Sequence, residues 1–121
     1  MMRKYFLFFI FISFLFVSCN KSYPRKVTYI ATASVSAYNL QYLNDQNVMV
    51  KEQVEPQSAQ DIWKYEFMSE EGEIVYINGN YKDIQSALKI QVLIDGKVYK
   101  QGATAGDTLK YIVVSGVVPY D

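Results

Sequence analysis

The 121-residue sequence contains no histidine and a single cysteine, Cys19. Without imidazole there can be no Ser-His-Asp or Cys-His nucleophile, no histidine metal site and no side chain that titrates by itself near neutrality. One cysteine forbids an internal disulfide, so a folded domain must rest on apolar burial. An excess of either charge is also missing, with 12 Lys and Arg against 12 Asp and Glu. Nucleic acid and anionic membrane surfaces both call for a basic excess, so neither is expected as a partner. Beyond residue 26, no segment of ten or more residues carries a helical stripe of apolar positions. These absences lead us to expect a non-enzymatic protein with no cofactor and no metal.

What is present begins with an apolar leader. Arg3 and Lys4 precede an apolar run from Tyr5 to Val17, interrupted only by Ser13. A basic head, an apolar segment of about 7–15 residues and a small residue before the cut describe a secretory signal. The run falls short of the roughly 20 apolar residues that a membrane-spanning helix needs. Val17-Ser18-Cys19 resembles the lipobox of bacterial lipoproteins, with Phe16 where Leu is usual. The resemblance implies cleavage after residue 18 and acylation of Cys19, the one cysteine standing at the one position that lipidation requires. A signal peptide over 1–18 is therefore expected, then a lipidated cysteine and tether over 19–25, then a domain over 26–118. The membrane is a partner through acylated Cys19. Six extended tether residues reach roughly 20 Å, which keeps the domain close to the bilayer. No acidic residue occurs before Asp45. The acidic residues that mark some surface-displayed lipoproteins are thus missing, which favours an outer-membrane anchor facing the periplasm.

Removal of residues 1–18 leaves 103 residues, enough for one small domain, with a net charge near −2 once Arg3 and Lys4 are gone. From Lys26 the period is that of strands. Val27, Tyr29, Ala31, Ala33 and Val35 alternate with Thr28, Thr32, Ser34 and Ser36 in a first strand. Residues 38–54 read as a hairpin turning at Asn44-Asp45-Gln46-Asn47, and Pro56 to Asp61 as a loop. Ile62 to Met68 places Trp63, Tyr65 and Phe67 on one face. Glu70-Glu71-Gly72 turns the chain into a strand over Glu73 to Asn78, closed by Gly79-Asn80, and residues 81–87 read either as one helical turn or as a loop. Leu88, Ile90, Val92 and Ile94 share a face, and Asp95-Gly96 signals a two-residue type I′ hairpin. Strands over Lys97 to Gln101 and Thr108 to Val118 complete eight, at about 8–12-residue spacing. The fold class expected is an all-β, antiparallel, immunoglobulin-like β-sandwich of about 7–8 strands, with a small closed barrel as the competing architecture.

Two groups of residues stand out as candidate sites. Trp63, Tyr65 and Phe67 could form a ligand platform, although three aromatics on one strand face more often fill a core. Among the eleven tyrosines, Tyr76, Tyr81, Tyr99 and Tyr120 do not fit one core on this strand pattern, and Tyr76, Tyr81 and Tyr99 become the candidate partner surface. Tyr99 is expected outward, Trp63 and Phe67 inward. Glu70, Glu71 and Glu73 near Asp83 have calcium-type oxygens without the spacing of a calcium loop.

The motifs Val27-Thr28-Tyr29, Trp63-x-Tyr65-x-Phe67 before a glycine turn, Ile90-x-Val92-x-Ile94-Asp95-Gly96-Lys97-Val98 and a hydrophobic closing strand follow one another in this order. The order resembles the extracytoplasmic domain of the MmpS-like family and of short lipoproteins of the Bacteroides kind that share it. The resemblance covers most of residues 26–118. It implies an immunoglobulin-like sandwich acting as an accessory protein to a membrane exporter. The expectation is a lipid-anchored accessory or scaffold protein with a membrane-proximal protein partner. The alternative is a small-molecule or glycan-binding module.

Overall fold

A computed structural model describes residues 23–107 and 109–120. The expected signal peptide, Cys19 and the first part of the tether lie outside the described residues. The described chain is built from eight strands and no helix: β1 (Pro24–Thr32), β2 (Tyr38–Leu43), β3 (Met49–Val54), β4 (Trp63–Glu70), β5 (Ile74–Tyr81), β6 (Ala87–Ile94), β7 (Lys97–Ala105) and β8 (Tyr111–Val117). All pairings are antiparallel. They make two four-stranded sheets, β4-β1-β6-β7 and β3-β2-β5-β8, packed face to face as the sandwich that the strand spacing predicts.

Strict alternation in the central strands creates the core. The first sheet turns Val27, Tyr29, Ala31, Leu88, Ile90, Val92 and Ile94 inward, and the second answers with Tyr38, Leu40, Tyr42, Val75, Ile77, Tyr81, Ile112 and Val114. Each fully buried aliphatic side chain contributes about 1.5–3 kcal/mol through removal from water. Gly79 lies at the centre of this layer, where a Cβ would stand 2.7 Å from Leu88, 2.9 Å from Ile90 and 3.0 Å from Leu40. Missing side-chain volume at that point is what lets the two sheets close.

The two hairpins form as read. Leu43 pairs with Met49 across the 44–48 turn, and Asp95 and Gly96 both take positive φ, 51° and 83°, as a type I′ turn requires. Six strand boundaries differ from the periodicity by two residues or more. β1 begins at Pro24, inside the stretch expected as tether, because Pro24 and Arg25 pair with Glu70 and Ser69, and by the same pairing β4 runs past Met68 to Glu70. The first strand stops at Thr32, because Ala33 adopts φ 75° and the Ser34 hydroxyl turns inward to meet that of Ser86 at 2.9 Å; Val35, expected in the core, is exposed. Gly79-Asn80 does not close β5, which continues to Tyr81, since both residues pair with β2. β7 runs past Gln101 to Ala105, through Gly102, whose absent side chain leaves room for Ile112. The last strand begins at Tyr111 rather than Thr108, a residue outside those described. Residues 82–86 form a non-helical turn, in which the Gln85 and Ser86 N–H groups donate to the Asp83 carboxylate and carbonyl.

Candidate functional site

The tyrosines divide by task. Tyr29 crosses from the first sheet to donate its hydroxyl to the Leu43 carbonyl at 2.8 Å and to accept the Tyr76 N–H at 3.3 Å. It thereby fills the place where β2 ends and β5 would lose its ladder partner. Burial is the chief cause that pushes its pKa up to about 12. Tyr81, a candidate surface residue, is buried, with its hydroxyl on the Gly106 carbonyl. Tyr99 is not outward either. A bulge opposite Val92 and Leu93 leaves Tyr99 without a partner in β6. The bulge swings the ring across the side of the sandwich onto Gly116 and brings its hydroxyl 2.8 Å from the Val117 carbonyl. These three phenols close places where a backbone ladder ends. Such a task calls for a long, rigid, amphipathic side chain, and it accounts for three of the eleven tyrosines.

Trp63, Tyr65 and Phe67 are half-buried at the margin of the core rather than at its centre. Together with Tyr29 and Tyr42 they form a ring cluster with centroid separations of 5.0–6.3 Å. The cluster closes the flank where β4 and β3 face each other without pairing. Glu52 joins that flank by accepting from Trp63 Nε1 and from the Tyr42 hydroxyl, both at 3.2 Å. The rings fill one another's space, so the platform reading loses its open face.

At the end from which the tether leaves, Arg25 gathers three segments. Its Nε lies 2.5 Å from Asp95, its Nη1 donates to the Pro119 carbonyl at 3.1 Å and stands 3.9 Å from Glu71. The Lys26 N–H donates to the other Asp95 oxygen at 2.9 Å. That backbone bond and the Arg25 bond hold the Asp95 carboxyl below the usual range. Glu71 is thus engaged in a structural clamp. Among the described residues no group of three or more metal-ligating side chains occurs.

The outer faces of the two sheets are unlike. On the first sheet, register places Lys26, Lys64, Glu66 and Lys89 outward, with Glu66 bridging Lys64 at 2.8 Å and Lys26 at 3.9 Å. On the second sheet, β2, β5 and β8 carry no charged residue at all, and Lys51 of β3 is the one charge that register places outward. The pairs Ile74–Val117, Tyr76–Ser115, Asn78–Val113 and Asn80–Tyr111 form four outward rows. Ile74, Tyr111, Val113 and Val117 are between 45% and 61% exposed, a dense apolar strip for one sheet face. Beside it the Asn78 amide, nearly buried, donates to the Tyr76 hydroxyl at 3.0 Å and to Gln41 at 3.3 Å. Tyr111 has its hydroxyl pKa raised by burial and then by a bond to Tyr76. Across β2 and β3, a shallow groove of about 310 Å3 is lined by Asn39, Gln41, Gln53 and Asn80 together with Lys51.

Of the three tyrosines singled out from the sequence, only Tyr76 lies on this face. The strip of Ile74, Tyr111, Val113 and Val117 was not anticipated. Its one signal in the sequence is the missing charge in Ile74–Tyr81 and Tyr111–Val117. No protein-family model matches the chain, and no curated protein matches it.

Proposed function

We propose that the chain is a lipid-anchored, non-enzymatic accessory or scaffold protein of the bacterial envelope. In this reading Cys19 carries the acyl chains, and the domain holds a membrane-proximal protein through the outer face of β5 and β8. The observation that carries it is the uncharged strip of Ile74, Tyr111, Val113 and Val117, which contrasts with the opposite sheet, where the exposed Met68 and Val98 stand among Lys26, Lys64, Glu66 and Lys89. Exposed contiguous apolar area of this kind marks interaction sites. The MmpS-like resemblance points to a membrane transport complex as the class of partner.

The test is photo-crosslinking in cells that produce the full chain, with a benzophenone side chain at position 74 or 117. Both positions should capture the same protein, and position 91 on the other sheet should not. Val113→Lys should lower capture about 30-fold or more, the effect of losing an interface anchor worth about 2 kcal/mol, and leave the melting temperature unchanged. Equal capture from position 91 would sink the reading. The amide groove supports a second reading, a small-molecule or glycan-binding module. Oligosaccharide binding by the purified chain that Asn39→Ala and Asn80→Ala abolish would favour it.

A further inference from the structure

Each sheet of an open sandwich has two edges, and an edge strand presents unpaired backbone groups that natural proteins blunt with charge, proline or a bulge. Three of the four edges here are blunted. β4 carries Lys64, Glu66 and Glu70, β3 carries Lys51 and Glu52, and β7 carries Lys97, Lys100 and the bulge at Tyr99. β8 (Tyr111–Val117, YIVVSGV) has none of these devices, and its register against β5 is regular throughout. The bonds Val118 N–H to the Glu73 carbonyl and Tyr81 N–H to the Lys110 carbonyl show that even-numbered positions of this segment face β5. The backbone N–H and C=O groups of Tyr111, Val113, Ser115 and Val117 therefore face the open side. The Val117 carbonyl accepts from Tyr99. Among the described residues, the backbone groups of Val113 and Ser115 meet no backbone partner.

We propose that β8 is a site for strand addition, where an extended segment of a partner protein pairs antiparallel with Tyr111–Ser115 and extends the second sheet to five strands. Main-chain bonds supply the binding in this mode, and alternate side chains supply the choice of partner. The incoming strand has apolar, β-branched residues outward, where they continue the strip of Val113 and Val117. It has an acidic residue at its N-terminal end, because Lys100 stands there. The Lys100 ammonium lies 5.4 Å from the centre of the Tyr99 ring, that ring rests on Gly116 beside the open edge, and among the described residues Lys100 has no carboxylate partner. A second copy of this chain fits less well. Antiparallel β8 pairing would reverse the copy and put the two β1 starts at opposite ends of strands about 30 Å long, beyond the roughly 14 Å that the four residues between Cys19 and β1 span. Both the surface and the anchor in this argument rest on the function proposed above.

The experiment uses the full acylated chain in detergent micelles and an acetylated peptide, Glu-Val-Thr-Val-Thr-Val-Thr, with amide hydrogen exchange read by NMR. Saturating peptide should slow exchange at the Val113 and Ser115 amides at least tenfold and leave Ile112 and Val114, already bonded to β5, unchanged. Val113→Pro removes one open-side donor without touching the β5 ladder and should abolish this protection, while Ile74→Lys, which alters the face but not the edge, should retain it. A peptide with Lys in place of Glu should bind several-fold more weakly. Exchange at Val113 and Ser115 that the peptide leaves unchanged, or a Val113→Pro chain that binds as wild type does, overturns the proposal. Protection that rises with protein concentration in the absence of peptide assigns the edge to a second copy and also overturns it. If the edge amides stay unprotected while positions 74 and 117 still crosslink a partner in cells, the docking face stands and strand addition alone fails. If neither is seen, both fall.

Discussion

The two sheets of this domain share one core and present opposite outer faces. Inside, each offers the same kind of surface, with Ile90 from the first sheet and Ile77 from the second both fully buried. Outside, the first sheet is laced by Lys26, Lys64, Glu66 and Lys89, whereas three strands of the second carry no charge. Folding requires only that the inner faces match. The difference between the outer faces has no role in burying the core, so it is where selection for something other than stability is to be sought.

The comparison breaks most visibly if the inner faces are unequal. Ile77→Ala and Ile90→Ala should each cost about 2–5 kcal/mol, measured by denaturant unfolding. A cost below about 1 kcal/mol for one of them would show that its sheet contributes less to the shared core than its burial implies.

The next effect concerns the bond by which the first sheet completes the ladder of the second. Tyr29→Phe leaves the Leu43 carbonyl and the Tyr76 N–H without their partner and should cost about 1–3 kcal/mol. The same residue gives the domain an alkaline limit. Burial raises the pKa values of Tyr29, Tyr38 and Tyr42 to about 12, above the value of about 10 for an unfolded tyrosine. Stability from the protonated phenols is therefore complete below pH 10 and lost as pH rises from 10 to 12, because the unfolded chain ionises first. A pH titration of the melting temperature should fall in that window, and less steeply in Tyr29→Phe. An acid-side loss without an alkaline one would contradict this assignment.

The smallest effect is expected where the sequence is most conspicuously charged. Glu66 is exposed, and its carboxyl is held below the usual range first by Lys64. Exposed pairs of this kind contribute little, so Glu66→Gln should leave the melting temperature within error at ordinary salt. If it also leaves crosslinking from position 117 unchanged while Val113→Lys abolishes it, the contrast between the two outer faces becomes a functional one.

Most of the architecture was legible in the residues because alternation has a period of two and each turn carried its own chemistry. Leu88, Ile90, Val92 and Ile94 could face only one way, and Asp95-Gly96 allowed only one kind of hairpin. Errors arose where a single residue broke the period. Ala33 in the left-handed region ended β1 four residues before alternation did, and the extra residue at Tyr99 turned an outward position sideways. The candidate surface suffered for the same reason, since Tyr81 belongs to the core and Tyr99 to the seam between β7 and β8, leaving Tyr76 alone on the exposed face.

From the sequence by itself came the strands, the hairpins, the inward residues of the central strands and the lack of histidine and disulfide chemistry, all properties of local pattern and composition. Which strands are neighbours was decided only in three dimensions. Nothing local in YNLQYL, IVYINGNY or YIVVSGV says that β2, β5 and β8 lie side by side. Pairing between strands far apart in the chain is set by the packing of the whole core, and it is that packing which gathers three uncharged segments onto one face and leaves the last of them at an edge.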